Sequence, residues 1–353
     1  MPVYSEDDLN SAIAAGAISR QSAQALRDHV AHLRGMPRGS EENFRLLNSF
    51  NDIFVTIAAV LLMVAVGSIG ALVYAPLGAL AVAALAWALS EYFALKRRMA
   101  LPSIVLALAF IGGCALFPIL LGSALQMEEG WFAIPAGPLA AIAAFAHWRR
   151  FRVPITIAAG AAALIVMAIV GLLAIVEQFA GVLAQTMTTP LVFIGGLITF
   201  GFAMAWDTQD PQRLTRRSDV AFWLHLLAAP LIIHPLFSFY GVFSGVGTNM
   251  WGAVAILATY VVLGLVALAI DRRALLVSAL AYVLYALGEV VQAFGAIEAS
   301  VSITTLVIGS ALLMLSTFWT KLRMRVVPLV PAELRAKLPP LSPDMDNAQV
   351  AAG

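Results

Sequence analysis

Long apolar runs separated by short polar segments fill the chain from about residue 53 onward. A bilayer core of about 30 Å needs roughly 20 apolar residues per helix, and the runs are of that length. The chain is therefore predicted to be an all-α, polytopic transmembrane helix bundle of about ten helices. The predicted spans lie near 53–72, 75–94, 103–125, 131–148, 153–176, 190–206, 220–237, 249–270, 274–294 and 301–320.

Lysine and arginine are distributed around these runs in a regular way. They occupy every second loop and the two tails, so all 21 fall on one side of the predicted bundle. The loops on the other side carry acids instead, namely Glu128, Glu129, Glu177 and Glu298. Because cytoplasmic loops hold the excess of cations in membrane proteins, both termini are predicted to be cytoplasmic.

Composition agrees with a membrane protein and excludes other classes. Hydrophobic residues make up 61% of the chain and charged residues 12%, against about 45–50% and 25% in soluble domains. A net charge of +1 argues against a nucleic-acid partner. Arginine outnumbers lysine and alanine is abundant, which favours a bacterial origin, so the protein is placed in a bacterial inner membrane.

The first 50 residues are predicted to form a small cytoplasmic helical hairpin with its linker. Ser5 begins a capping box and Gly16 stops the first helix, while Ser19 begins a second helix that ends near Gly35. Such a hairpin is too small to hold its own core. It is expected either to dock on the membrane face or a cytoplasmic protein partner, or to be a solvated tail.

The hairpin carries a resemblance. The pattern Leu9-x-x-Ala12-Ile13-x-x-Gly16-x-Ile18-Ser19-x-x-x-Ala23, followed by a polar link and a multipass region, resembles uncharacterised bacterial membrane proteins that begin with a domain of unknown function. The stretches 219–225 and 271–276 are similar to those of alphaproteobacterial hypothetical proteins. The resemblance implies the layout of the chain and brings no activity with it.

The membrane domain is predicted to span 51–321, and the proline-rich segment 322–353 to be a disordered cytoplasmic tail. Signatures of soluble enzymes, such as a Walker loop, a His-Glu-x-x-His pair or a nucleophile elbow, do not occur. We therefore predict no catalytic site, no cofactor and no metal. Cys114 is the single cysteine and is expected to be a packing residue. Two Phe-Ile-Gly-Gly segments, at 110–113 and 193–196, are predicted to be sites of close helix packing.

Polar side chains form a stripe along one face of the ninth predicted span, at spacings of four, three, four and three: Ser278, Tyr282, Tyr285, Glu289 and Gln292. Such a stripe is unfavourable against lipid tails and should face the bundle interior. It lines a cavity for a solute or a proton, or it is a seam of hydrogen bonds between helices.

Histidines and one further acid complete the candidates. His225 and His234 in the seventh span are nine residues apart and point to opposite faces. His234 lies at a depth comparable to that of Glu289, so the two are candidates for one polar cavity; the alternative is a buried, hydrogen-bonded histidine. Glu91 is expected to reach the interface or to pair with Lys96 or Arg97, and His147 to be interfacial.

Two function classes follow, with a third behind them. A small-solute secondary transporter or exporter is favoured because ten helices divided five plus five have opposite orientations in the two halves. The alternative is a membrane-embedded sensor, scaffold or assembly factor that recruits a cytoplasmic partner through the hairpin. An intramembrane enzyme ranks third, because no catalytic cluster shares one depth.

Overall fold

The computed structural model of the chain describes residues 6–33, 50–127, 133–211, 213, 215–240, 250–273, 275–276, 280, 283–285, 287–288, 291, 300–335, 337–339 and 341. This part of the chain is helical and contains no β-strand. It divides into two compact units, one of 1–43 with 340–353 and one of 44–339.

The first unit contains the predicted hairpin. Helix α1 (Glu6–Ala14) ends where Gly16 adopts a φ of +71°, and helix α2 (Arg20–Leu33) begins where the Ser22 backbone N–H donates to the Ser19 hydroxyl. Arg27 donates to the Asn10 side chain at 3.1 Å and so ties the two helices together. The predicted stop and start are therefore confirmed, whereas Ser5 and Gly35 lie outside the described residues.

Four helices form the first part of the second unit. They are α3 (Phe50–Val73), α4 (Ala75–Ser90) with a π-helical continuation (Glu91–Lys96), α5 (Ala100–Ala124) and α6 (Ala133–Phe151). The turn between α3 and α4 is tight, because Pro76 starts α4 and a Cβ on Gly78 would meet the Gly67 carbonyl oxygen at 2.5 Å. The first four predicted spans are thus found as helices.

The fifth and sixth predicted spans form one kinked helix, α7 (Ile155–Asp207). The two halves, Ile155–Gly181 and Thr186–Asp207, fold back on each other, since Gly195 lies against Ile165. Ala180, with φ −156° and ψ 70°, is the non-helical residue inside it. The two spans predicted here are therefore found as two apolar helical segments, and the segment 177–189 between them is helical on both sides of the break at Ala180.

The remaining helices are α8 (Arg216–Phe239), α9 (Met250–Ile270) and α10 (Ser300–Val326), followed by a 3₁₀ turn (Val327–Leu329) and the short α11 (Ala332–Arg335). Leu338 packs on the main apolar cluster and Arg323 donates to the Pro339 carbonyl oxygen. The tail is therefore ordered well past 322, where disorder was predicted; 342–353 lies outside the described residues.

Within the described residues, eight helical segments, with the two halves of α7 counted separately, are long and apolar enough to cross a membrane. They match all the predicted spans except the fourth and the ninth: α6 is helical but less apolar, and much of the ninth lies outside the described residues, although those described between 275 and 291 are helical. The chain is thus an all-helical protein whose apolar helices have the dimensions of membrane spans.

The two Phe-Ile-Gly-Gly segments pack closely, as predicted. A Cβ on Gly113 would lie 2.8 Å from the Ala79 carbonyl oxygen of α4, and one on Gly196 would lie 2.8 Å from the backbone of Leu231 in α8. Gly112, by contrast, faces open space. In both segments the second glycine is therefore the point of close approach between helix backbones.

Candidate functional site

Three deeply buried ionisable side chains of the second unit meet at Asp207, the last residue of α7. Arg272 donates to both carboxylate oxygens of Asp207, through Nη2 to Oδ1 and through Nε to Oδ2 at 3.1 Å. His225 Nε2 lies 2.9 Å from the same Oδ2. The side chains of Arg272, His225 and Asp207 are 2%, 0% and 4% exposed. One carboxylate thus joins α7, α8 and the segment after α9.

Arg272 is also held on a second side. Its Nη2 donates to the Ser218 carbonyl oxygen at 3.2 Å and to the Ser218 hydroxyl at 3.1 Å. The ring of Phe200 lies 5.3 Å from the ring of His225 and covers it from the apolar side. His225 Nδ1 has no hydrogen-bond partner among the described residues. We call Asp207, Ser218, His225 and Arg272 the buried ion network.

A second carboxylate, Asp271, forms a neighbouring cluster. Arg213 Nη1 donates to Asp271 Oδ2 at 3.0 Å, and Trp319 Nε1 donates to Asp271 Oδ1 at 2.7 Å. Arg323 Nε lies 3.8 Å from the same Oδ1. Arg273 stacks over the Trp319 ring at 4.9 Å. This cluster connects the loop after α7 and the end of α9 to α10.

Local backbone geometry explains how adjacent residues serve two clusters. Asp271 directly follows α9 and lies in the left-handed region, with a φ of 58°. Arg213, in the loop between α7 and α8, also has a left-handed backbone, with a φ of 55°. A left-handed residue stops the helix and turns the chain sharply. Asp271 and Arg272 therefore point to different partners, and Arg213 reaches the Ile270 and Asp271 carbonyl oxygens at 3.1 and 2.8 Å.

The first half of the bundle carries a simpler pair at its basic end. Arg150 Nε and Nη2 each donate to one oxygen of Glu91 at 2.8 Å. Glu91 therefore pairs across helices with Arg150, and not with Lys96 or Arg97 as expected. His147, in the last turns of α6, is 0% exposed, and its ring packs near Trp87, Phe110 and Phe151, with Nε2 3.4 Å from the Ser90 hydroxyl. Its predicted position at the membrane interface stays a prediction.

The predicted polar cavity lies mostly beyond the described residues. Ser278, Tyr282, Glu289 and Gln292 are outside them, and Tyr285 is described as a half-buried helical residue. His234 is exposed, so the alternative of a buried histidine is wrong. His225 and His234 do face opposite ways, since His225 is fully buried. The shared cavity of the stripe and His234 stays a prediction.

The acid and the arginine of the buried ion network were not identified from the sequence. Asp207 and Arg272 were assigned to loops, where charges are ordinary, and His225 was treated as a single residue. One signal was available. Asp207 directly follows an apolar run at the end of the bundle where cations predominate, and Asp271 of the neighbouring cluster does so too. The stretches 219–225 and 271–276, noted for their resemblance, supply His225 and Arg272 to this network.

The network combines a side chain that can take up a proton with a carboxylate and a permanent cation. Within the described residues, no group of three or more histidine, cysteine or acidic side chains is arranged to hold a metal ion. Histidine is the side chain whose charge changes between about pH 5 and 8, and here it shares a carboxylate with a permanent cation. The Asp207 carboxylate can therefore bind His225 more strongly while it binds Arg272 more weakly, or the reverse.

Comparison with known proteins adds no assignment: no protein-family model, no curated protein and no solved structure matches the chain.

Proposed function

We propose that the protein is a secondary transporter or exporter of small solutes, and that the buried ion network closes its basic end. The observation that carries the proposal is the sharing of Asp207 by His225 and Arg272, all nearly inaccessible to solvent. Ionisable residues inside membrane bundles are costly, and they commonly mark ion or solute pathways.

A gate needs two arrangements of similar free energy. The network joins three chain segments through side-chain contacts to one carboxylate, so exchange of its partners would release α8 from the end of α9. A buried imidazole with an unsatisfied Nδ1 supports such an exchange, because an unpaired buried polar atom raises the free energy of the closed arrangement. The populations of the closed and the open arrangement then respond to small differences in the free energy with which a ligand binds each of them.

Orientation is part of the proposal. We place both termini in the cytoplasm of a bacterium, with the chain in its inner membrane, because all 21 lysines and arginines fall on one side of the predicted bundle. Reporter fusions after Met127, Thr186, Gly245 and Gly295 should read outside, and fusions after Arg98, Arg150, Thr215 and Arg325 inside. An inside reading at Gly245 would refute the pairing of α8 with α9.

Transport is tested directly in proteoliposomes that enclose a pH-sensitive dye. Amino acids, organic acids, sugars and organic amines are added outside in turn, and the internal pH is followed. At least one class should produce a pH change with the wild type that is lost in His225→Gln. A solute flux that is identical in wild type and His225→Gln would remove the network from the mechanism.

A test without a substrate measures whether the network opens. In a Cys114→Ala background, Ala229→Cys places a thiol one turn from His225, at a position that is 1% exposed. With a gate, alkylation by N-ethylmaleimide should be about tenfold faster when His225→Gln is added, at an unchanged unfolding temperature. Gln209→Cys, at an exposed position, controls for reagent access. A buried thiol that stays unreactive in both backgrounds would indicate a rigid clamp.

A second function is favoured by a separate observation. The α1–α2 hairpin belongs to a compact unit of its own and exposes Leu26 at 47%. It is therefore also a candidate for recruiting a cytoplasmic protein, as a sensor or scaffold would. Deletion of 2–38 should leave the amount of protein in the membrane near normal and abolish the binding of any cytoplasmic partner. Loss of the whole protein from the membrane would show that the hairpin is a folding element.

A further inference from the structure

A cavity of about 490 Å³ opens between the ends of α6 and α7 and the start of α8. Its walls combine aromatic rings with cations, and the principal lining residues are Trp148, Trp206, Gln209, Arg152, Arg216 and Arg217. No described aspartate or glutamate lines it. The cavity lies at the basic end of the bundle and does not include the buried ion network.

The cavity keeps a net positive charge, because three arginines line it, Asp207 and Asp210 are held by other groups, and Asp219, which interacts electrostatically with Arg216, does not line it. Asp207 is held by Arg272 and His225, and Asp210 Oδ2 accepts from the backbone N–H and the hydroxyl of Thr215 at 2.8 and 2.7 Å. Within the described residues, none of the three lining arginines forms a salt bridge. An anion is therefore the complementary ligand.

An exposed apolar stripe leads away from the cavity along α7. Phe202 and Ile198 lie four and eight residues before Trp206 on the same face, and they are 43% and 65% exposed. The Phe202 and Trp206 rings are 6.3 Å apart. On the side of α6, the Arg152 guanidinium lies 5.4 Å from the Trp148 ring. The surface thus changes from cationic to aromatic to aliphatic over a few turns.

We propose that this cavity binds the phosphate headgroup of an anionic phospholipid, whose acyl chain lies along Phe202 and Ile198. Guanidinium groups match the oxygens of a phosphate in a bidentate way, and tryptophan is enriched at the level of the headgroups. The volume lies within the range of ligand sites. A zwitterionic lipid would bring its ammonium group towards three guanidiniums. The proposal rests on the chain being a membrane protein and does not depend on transport.

The experiment titrates the purified full-length protein, in a nonionic detergent, with phosphatidylglycerol or phosphatidylcholine and counts bound lipids by native mass spectrometry. The triple variant Arg152→Gln, Arg216→Gln, Arg217→Gln should lose about tenfold or more in affinity for phosphatidylglycerol, because each arginine near the headgroups contributes to the binding of anionic lipid. Its weaker binding of phosphatidylcholine should not change.

The matched control removes the same charge from three arginines at the same end that do not line the cavity, in Arg97→Gln, Arg149→Gln, Arg325→Gln. These changes should lower the affinity by no more than about twofold, because outside the cavity their attraction for the headgroup is screened by water and salt. Equal losses in the two triple variants would overturn the proposal in favour of general surface attraction. The lysine triple Arg152→Lys, Arg216→Lys, Arg217→Lys should recover only part of the affinity, since lysine lacks the bidentate geometry.

Competition separates a lipid from a soluble anion. Inorganic phosphate and glycerol phosphate lack the acyl chain, so neither should displace phosphatidylglycerol at equal concentration. Displacement would overturn the lipid assignment and indicate a site for a soluble phosphate compound. Unfolding temperatures of all variants are measured alongside; if the glutamine triple does not fold, Arg152→Gln alone and the competition decide the outcome.

Discussion

Two forked arginine–carboxylate pairs lie at the basic end of the bundle, and they differ in their surroundings. Arg150 and Glu91 are 54% and 37% exposed, whereas Arg272 and Asp207 are 2% and 4% exposed. The exposed pair can exchange its hydrogen bonds with water at little cost. The buried pair cannot, because removal of either partner leaves an uncompensated charge. Similar geometry therefore has different consequences in the two halves.

The difference follows from what each pair holds together. Glu91 and Arg150 join two helix ends from outside, beside an aromatic cluster around His147 that already fills the interior. Asp207 and Arg272 take the place of such a cluster and are joined by His225 and Ser218. At this end the first half is thus packed with rings, and the second half with charged groups.

The largest expected effect is at Arg272. Arg272→Met removes the permanent cation that pairs with the buried Asp207, so the free energy of unfolding should fall by about 3–5 kcal/mol. Thermal unfolding in detergent micelles measures this. The control is Arg273→Met, which removes the adjacent cation from a half-buried position over Trp319 and should cost only about 0.5–1 kcal/mol. Equal losses of stability at the two arginines would contradict the claim that the buried Arg272 stabilises the fold more than Arg273 does.

A double change sharpens the same point. Asp207→Asn combined with Arg272→Met removes both charges, so the loss should be smaller than for Arg272→Met alone, as is found when buried ion pairs are replaced whole. The coupling appears as a non-additive difference in a double-mutant cycle. Additive losses would show that Asp207 and Arg272 do not act as a pair.

The next effect is at Trp319, whose Nε1 donates to Asp271 at 2.7 Å. Trp319→Phe keeps an aromatic ring but removes this hydrogen bond to a charged group, so unfolding should become easier by about 1.5–3 kcal/mol. Trp251→Phe is the control, because Trp251 is 81% exposed and should give little change. Unfolding temperatures of the two variants are compared in the same detergent. A Trp319→Phe protein as stable as the wild type would show that the hydrogen bond from Trp319 to Asp271 does not stabilise the fold.

Helix packing extends the comparison to the two Phe-Ile-Gly-Gly segments. Gly113→Ala and Gly196→Ala each bring a Cβ to within 2.8 Å of a neighbouring backbone, and the strain should lower stability by about 1–3 kcal/mol. Gly112→Ala meets nothing within 4 Å and should be neutral or slightly stabilising. The ratio of folded to aggregated protein after purification gives a second measure. Equal behaviour of Gly112→Ala and Gly113→Ala would refute the close approach.

The smallest effect is expected at the exposed pair of Glu91 and Arg150. Glu91→Gln with Arg150→Gln removes the exposed pair from α4 and α6, and the unfolding temperature should remain within experimental error, because hydrated ion pairs contribute little. A double-mutant cycle on these two residues should give no measurable coupling. A clear loss of stability would mean that this pair is less hydrated than its exposure indicates.

The sequence by itself determined the helical class, the apolar spans and the gathering of cations on one side of the predicted bundle. Run length and residue type are local properties, and backbone polar groups in a bilayer leave helices as the solution for such runs. The closing of α1 at Gly16 and the close packing at Gly113 and Gly196 were predicted on the same local grounds.

Only the tertiary structure decided which charges are buried together. Asp207 and Arg272 are 65 residues apart, and the position of Asp207 directly after an apolar run does not indicate that Arg272 is its partner. The reversal of α7 at Ala180, the burial of His147 and the packing of Leu338 likewise depend on neighbours that are distant in the chain. Free energies of burial and ion pairing are properties of a three-dimensional environment, so a linear pattern specifies the spans but not the partners across them.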